Sequence, residues 1–207
     1  MNKLFIEAGH KNTSESHFLK AIIKTHFPDK QVEFEYMDGL GNLFNETIIN
    51  QIKVAQTEGD AVLVFVDCDT IEKKGGYDKR KAYIDKKSQE NGIVFPYFLY
   101  PDNHSDGEVE QLMSAVARRD LHKLFFDCFE DYENCIKGAK DKATGELMYK
   151  APDIKSKLNA YIRSQRLSSR ERSRIGGGDW LFENTNYWDL SSEKLKPLID
   201  FLKANLR

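Results

Sequence analysis

The sequence predicts an α/β fold, a parallel sheet with helices on both faces followed by a helical C-terminal extension. Three observations carry this. The run Ala61-Val-Leu-Val-Phe-Val-Asp67 is apolar until its last residue, as expected of a strand buried on both sides. Up to about residue 118, short runs of this kind alternate with longer amphipathic ones, the pattern of βα units around a parallel sheet. After Arg118 the alternation stops. Residues 1–118 are therefore read as the α/β core, and residues 119–207 as a helical, basic extension whose terminal helix packs back on that core.

The predicted strands are Lys3–Glu7, Gln31–Met37, Ala61–Asp67 and Ile93–Tyr100. Between them, Ser14–Phe27 places Phe18, Leu19, Ile22 and Ile23 on one helical face, and Leu43–Gln56 does the same with Phe44, Ile48, Ile49 and Ile52. Asp78–Glu90 is a more polar and more exposed helix, and Gly107–Arg118 carries Val109, Leu112, Met113 and Val116 as its buried stripe. Right-handed crossovers distribute these helices over both faces of the sheet. Leu121–Ile136 reads as an aromatic-rich helix packed through Leu124, Phe125, Cys128, Phe129 and Tyr132. Lys137–Pro152 is polar, with glycine and proline, and is read as a loop. Asp153–Arg174 is read as a helix followed by a basic tail, Gly176-Gly177-Gly178 as a break, and Ser191–Leu206 as a terminal helix buried through Leu195, Leu198, Ile199 and Leu202.

A chain of 207 residues is long enough for one sizeable core, and 40% hydrophobic beside 31% charged residues excludes a disordered or fibrous protein. No apolar run approaches the roughly 20 residues of a membrane helix, and the N-terminus enters a strand without a secretory signal, so no membrane association and a cytoplasmic location are expected. Cys68, Cys128 and Cys135 lack the spacing of zinc ligands or of a disulfide framework and are read as reduced. The net charge of −2 decides nothing about nucleic acid.

The chemistry is expected at the carboxyl ends of the strands, where open α/β sheets bind ligands. Asp67 and Asp69 end the third strand, and residues i and i+2 there can point to one side. Glu7 ends the first strand and, on a neighbouring parallel strand, can face them at about 5 Å per strand step. Carboxylates in this number suit a hard cation such as Mg²⁺ or Mn²⁺, and so close together they raise one another's pKa without one. The plainer reading is that acids merely end strands and cap the helices that follow.

A glutamate ending the first strand and an Asp-x-Asp ending a later one resemble the signature of the Toprim domain. This Rossmann-like domain occurs in topoisomerases, primases and nucleases related to the OLD (overcoming lysogenization defect) proteins. The resemblance covers roughly residues 3–118. Ile6-Glu7-Ala8-Gly9 followed by Phe18-Leu19 is similar to the family's strand–glutamate–glycine turn and helix, with Ala8 where the usual glycine stands and a longer loop containing Lys11. Glu15 stands where nuclease-type members often carry another acid. Asp106-Gly107-Glu108-Val109-Glu110-Gln-Leu112 is similar to a Gly-x-x-Glu-x-Leu segment of small bacterial Toprim-like proteins. Glu110 is then a further metal ligand, or else part of an acidic first turn favoured by the helix dipole.

The resemblance implies that Asp67 and Asp69 hold Mg²⁺ while Glu7 acts as general acid/base or as a second-metal ligand during attack on a phosphodiester. A length of 207 residues leaves little room for a topoisomerase's tyrosine domain and no primase template or nucleotide modules are visible, so a metal-dependent nuclease is the enzymatic expectation, with a role in defence against foreign DNA implied by the OLD resemblance. A non-catalytic Toprim-like module that binds nucleic acid or a protein partner is the alternative. Candidate phosphate contacts are Lys73, Lys74 and Arg80 after the third strand, and Arg163, Arg166, Arg170, Arg172 and Arg174 in the basic stretch, which also contains Lys155 and Lys157. Lys73, Lys74 and Arg80 also read as ordinary solvated cations, and the basic stretch as a docking surface for an acidic partner. His10 and His17 flank the loop after Glu7 and read as bystanders or as proton carriers. Gly176-Gly177-Gly178 lacks the lysine and spacing of a phosphate-binding loop, so any ATP requirement falls to a companion ATPase. The sequence leaves oligomeric state open.

Overall fold

The computed structural model describes residues 1–71 and 75–207. Four strands, β1 (Asn2–Ile6), β2 (Val32–Tyr36), β3 (Ala61–Asp67) and β4 (Tyr97–Tyr100), form one sheet in the order β2-β1-β3-β4, and every pair is parallel. Parallel neighbours need crossovers, supplied by α1 (Ser14–His26), α2 (Glu46–Thr57) and α3 (Tyr77–Asn91). The pleat of β3 explains its unbroken apolar run. Leu63 and Phe65 enter the core on one face of the sheet, while Val62, Val64 and Val66 enter the core on the other. Phe18, Leu19, Ile22 and Ile23 of α1 join the first core, whereas Ile48, Ile49 and Ile52 of α2 and Ile84 of α3 join the second. The step from β1 to β2 and the step back to β3 differ both in direction and in the face their helix covers. The connections therefore share one hand, as the rule for parallel crossovers requires. This is the Rossmann-like α/β fold expected from the sequence.

The remaining helices are α4 (Val109–Ala115), α5 (Lys123–Gly138), α6 (Ile154–Arg163), α7 (Ser169–Gly176) and α8 (Lys196–Asn205). All five contribute to the core that holds α1. In α8, Leu198 and Leu202 are buried, and Phe201 packs its ring 5.6 Å from that of Phe65 and 5.4 Å from that of Phe98. The backbone N–H of Arg207 donates to Asn2 Oδ1 at 2.8 Å, tying the C-terminus to the first strand.

Several expected boundaries differ, each for a physical reason. The strand expected over Ile93–Tyr100 pairs only from Tyr97, because Pro96 has no N–H to give a ladder and serves only as an acceptor, from Val64 N–H at 3.1 Å. The helix expected from Gly107 begins at Val109, behind a capping box between Glu108 and Gln111. The basic tail expected after the helix in Asp153–Arg174 is itself helical, since Ser168 and Glu171 form a second capping box that restarts the chain at α7. In α5 the buried residue is Phe126, which stacks 4.9 Å from Tyr161, while Leu124 is 77% exposed and Cys128 and Tyr132 also face solvent. The segment read as a loop carries a bridge between Lys140 and Leu147. All three cysteines are free, and no helix among the described residues is long and apolar enough to cross a membrane.

Candidate metal centre

The chain leaves β1 toward β2 and leaves β3 toward β4, so β1 and β3 flank the point where the strand order reverses, and a crevice opens at their carboxyl ends. Glu7 follows β1 directly. Its Oε1 accepts from Leu40 N–H at 3.1 Å and its Oε2 from Asp67 N–H at 3.0 Å, so the carboxylate is held across the strand ends by two backbone donors. Asp67 is the last residue of β3, and its Oδ1 accepts from Val109 N–H at 2.8 Å, at the start of α4. Glu15 lies in the first turn of α1, whose N-cap Thr13 accepts from Ser16 N–H at 3.2 Å. Glu110 lies in the first turn of α4, buried at 5% exposure, and its Oε1 accepts from Lys155 Nζ at 3.0 Å. These four carboxylates and Lys155 line one cleft of about 210 Å³, floored by the Thr13–Ser14 turn.

Burial, and then the charges of Glu7 and Glu110, push the Glu15 carboxyl up to about 8, with the Ala8 backbone N–H easing it only slightly. Burial also lifts Asp67 well above the usual carboxylate range, reinforced by Glu15, Glu7 and Glu110 and opposed by its bond from Val109. Burial alone would lower Lys155, but Glu110, Asp67 and Glu15 outweigh it and hold the ammonium above its ordinary value. Among the described residues, two oxygens here are buried without a hydrogen-bond partner: Glu15 Oε1 and the hydroxyl of Tyr100, the register partner of Asp67 on β4. Tyr100 is fully buried, and that burial, with the charges of Glu15, Asp67 and Glu110, keeps its hydroxyl protonated.

This donor set fits a hard divalent cation. It consists of oxygen ligands, carries more negative charge than one ammonium offsets, and retains two buried oxygens with unused bonding capacity. Among the described residues, no three acidic, histidine or cysteine side chains are drawn together into a closed ligand set. Like carboxylates with only Lys155 between them repel, so an open cleft rather than a tight cage is the expected arrangement.

Glu7, Glu15, Asp67 and Glu110 thus converge, but Asp69 does not join them. Its backbone is left-handed, with φ 57°, its side chain is ion-paired with Arg80, and its carbonyl accepts from Gly107 N–H at 3.0 Å. The i, i+2 argument holds only for extended chain, and the chain turns here against Gly75, where an added Cβ would lie 2.4 Å from both Asp69 Cβ and the Cys68 carbonyl oxygen. Arg80 is committed to Asp69 and to the Cys68 carbonyl at 3.4 Å. Lys73 and Lys74 lie outside the described residues.

The cations of the basic stretch divide. Lys157 pairs with Glu133 at 2.5 Å, Arg174 with Asp179 and Glu183, and Arg172 Nε donates to the Leu167 carbonyl. Arg163, Arg166 and Arg170 are exposed and make no ion pair among the described residues. His10 Nδ1 accepts from Asn12 N–H at 3.2 Å, and His17 lies 4.0 Å from Asp179, so neither lines the cleft. Gly178, the last of the three glycines, has φ 84° and packs against the Asn12–Thr13 backbone that caps α1.

Sequence reasoning missed two residues of the site. Lys155 reads from the sequence as part of the basic stretch facing an anion or an acidic partner, and Tyr100 only as the end of a strand. The signal for Tyr100 was available, because parallel pairing sets the last residues of adjacent strands side by side. No local signal ties Lys155 to Glu110.

No solved structure matches the chain. It is similar to the GMP synthase (glutamine-hydrolyzing) of Aeropyrum pernix, 23% identical over 131 residues, which is 63% of this chain. The match spans only 23% of that protein's length. A family model described as Protein of unknown function (DUF3226) matches residues 2–207, and the chain belongs to that family.

Proposed function

We propose that this protein is a Mg²⁺- or Mn²⁺-dependent nuclease of Toprim type that cleaves phosphodiester bonds in nucleic acid. The observation that carries this reading is the meeting of Glu7 and Asp67, from two strands at the reversal of strand order, with Glu15 and Glu110 in one cleft. Glu7, Asp67, Glu15 and Glu110 would hold the ion. A divalent ion in such a cleft activates a water or hydroxyl and offsets the charge that develops on phosphate oxygens. The chain's own contribution is orientation. Backbone donors from Leu40, Asp67 and Val109 fix the Glu7 and Asp67 carboxylates, and burial on the sheet edge limits the water that competes with them. Exposed Arg163, Arg166 and Arg170 supply cations for a phosphate backbone. A companion ATPase and a role in defence against foreign DNA rest on the OLD resemblance alone, and action in the cytoplasm on the default expectation from the sequence.

One observation favours a second reading. Asp69, half of the Asp-x-Asp pair, is turned to Arg80 and away from the cleft, which suits a Toprim-like module that binds nucleic acid or a partner without cutting. Cleavage of supercoiled DNA, single-stranded DNA and structured RNA in Mg²⁺ or Mn²⁺ separates the two. A nuclease loses metal-dependent cleavage in both Asp67→Asn and Glu7→Gln. Activity that survives both substitutions belongs to another site or a contaminant, and retention of these nucleic acids without cleavage favours the binding module.

A further inference from the structure

Among the described residues, the one ammonium lining the cleft is supplied by the second half of the chain. Lys155 follows the first residue of α6, whose N-cap Asp153 accepts from Ser156 N–H at 2.7 Å and whose Leu158, Tyr161 and Ile162 are buried. The Cα of Lys155 is therefore fixed, while its long stem remains able to swing. Its side chain is 63% exposed and the Glu110 carboxylate it holds is 7% exposed, so a cation from the solvent side closes a ligand buried inside. This ion pair leaves the site incomplete, since Glu15 Oε1 and the Tyr100 hydroxyl stay buried without partners beside it.

We propose that Lys155 is a tethered gate for the divalent ion, occupying the Glu110 carboxylate until a metal displaces it and thereby setting the affinity of the site. The proposal rests on the reading of this cleft as a metal centre. An ammonium and a divalent cation a few ångströms apart repel, and Glu110 Oε1 cannot give its full charge to both. Entry of the ion therefore swings the Lys155 ammonium out toward solvent, and loss of the ion lets it return. Lys155 acts here as a positioning residue, through Glu110.

The test is Mn²⁺ binding by the full chain at fixed pH and ionic strength, read calorimetrically and by the electron paramagnetic resonance of free Mn²⁺. Lys155→Met keeps the stem and removes the charge, and it is expected to bind Mn²⁺ about tenfold more tightly, the equivalent of about 1.4 kcal/mol. Lys155→Arg keeps the charge and is expected to stay within about threefold of the wild type. In a Glu110→Gln background, Lys155→Met should give little or no gain, because the competition runs through Glu110. Equal or weaker binding by Lys155→Met overturns the gate while leaving the metal centre standing. A gain that persists without the Glu110 charge also overturns it, by showing general charge relief. If neither the wild type nor Lys155→Met binds Mn²⁺, the metal centre itself fails and the gate falls with it.

Discussion

Glu15 is where the cleft should be felt most strongly in folding, and Glu15→Gln isolates its charge with little change of shape. Its carboxyl rises from an ordinary 4.5 to about 8 in the folded chain. Between those values the folded state holds a proton that the unfolded state has lost, so stability is greatest at low pH and falls as pH rises toward 8. At 1.36 kcal/mol per pH unit the ceiling on this loss is about 5 kcal/mol, and relaxation and water in the cleft reduce the measured value to about 2 kcal/mol. Asp67, shifted in the same direction, adds to it. His17 works in the opposite sense, because burial lowers its pKa and its contribution is lost as pH falls.

Comparing wild type with Glu15→Gln cancels the histidine. The assay is urea unfolding at pH 5.5 and pH 8.0 in a chelator. The wild type is expected to be less stable at pH 8.0 by about 2 kcal/mol, and Glu15→Gln to lose less than half of that. The variant removes both the titrating group and one of the charges raising Asp67. Added Mg²⁺ should flatten the wild-type slope. A wild type as stable at pH 8.0 as at pH 5.5, or a variant with the full wild-type slope, refutes the electrostatic account of the cleft.

Two further outcomes test how the cleft is built. Gly178→Ala places a methyl 2.5 Å from the Asn12 carbonyl oxygen and 3.1 Å from Thr13 Cα at φ 84°, so a cost of about 1–3 kcal/mol is expected in thermal unfolding. Gly176→Ala meets nothing within 4 Å and should be neutral or slightly stabilising, so equal melting temperatures for the two variants would deny the close approach. Asp69→Asn should leave Mn²⁺ affinity within about threefold of wild type, whereas Asp67→Asn should weaken it by about tenfold or more. Equal losses in the two variants would return Asp69 to the cleft.

The legible parts of this fold were those that depend on periodicity. The apolar run Ala61–Asp67 and the stripes of α1 and α2 occupy the faces their spacing dictates, and Glu7 and Asp67 meet because adjacent parallel strands end together. Where periodicity lapses, so does the reading. Asp69 stands two residues past the end of β3, and its left-handed φ cancels the alternation that would pair it with Asp67. In α5 spacing places Leu124, Phe125, Cys128, Phe129 and Tyr132 on one face, yet Phe126 beside that stripe is the residue buried, because it stacks on Tyr161. The start of α7 was visible as a Ser168…Glu171 capping box, but the run of arginines reads as an unstructured tail.

The charged groups of the cleft come from five elements or their ends, and they are not equally well provided for. Glu7 holds two backbone N–H groups, Asp67 holds one, and Glu110 holds an ammonium. Glu15 keeps a buried oxygen with no partner at all. A carboxylate left in that state opposes folding, and such a group persists where a later partner relieves it. In the absence of metal the available relief is a proton, and under the proposed metal-centre reading the cation would replace it, so one carboxyl would couple the stability of the fold to the filling of the site. Lys155 offsets the same excess of charge from outside, but only at Glu110. The chain thus balances its acids well enough to fold while leaving one of them unsatisfied, at the point where the strand order reverses and a ligand has access.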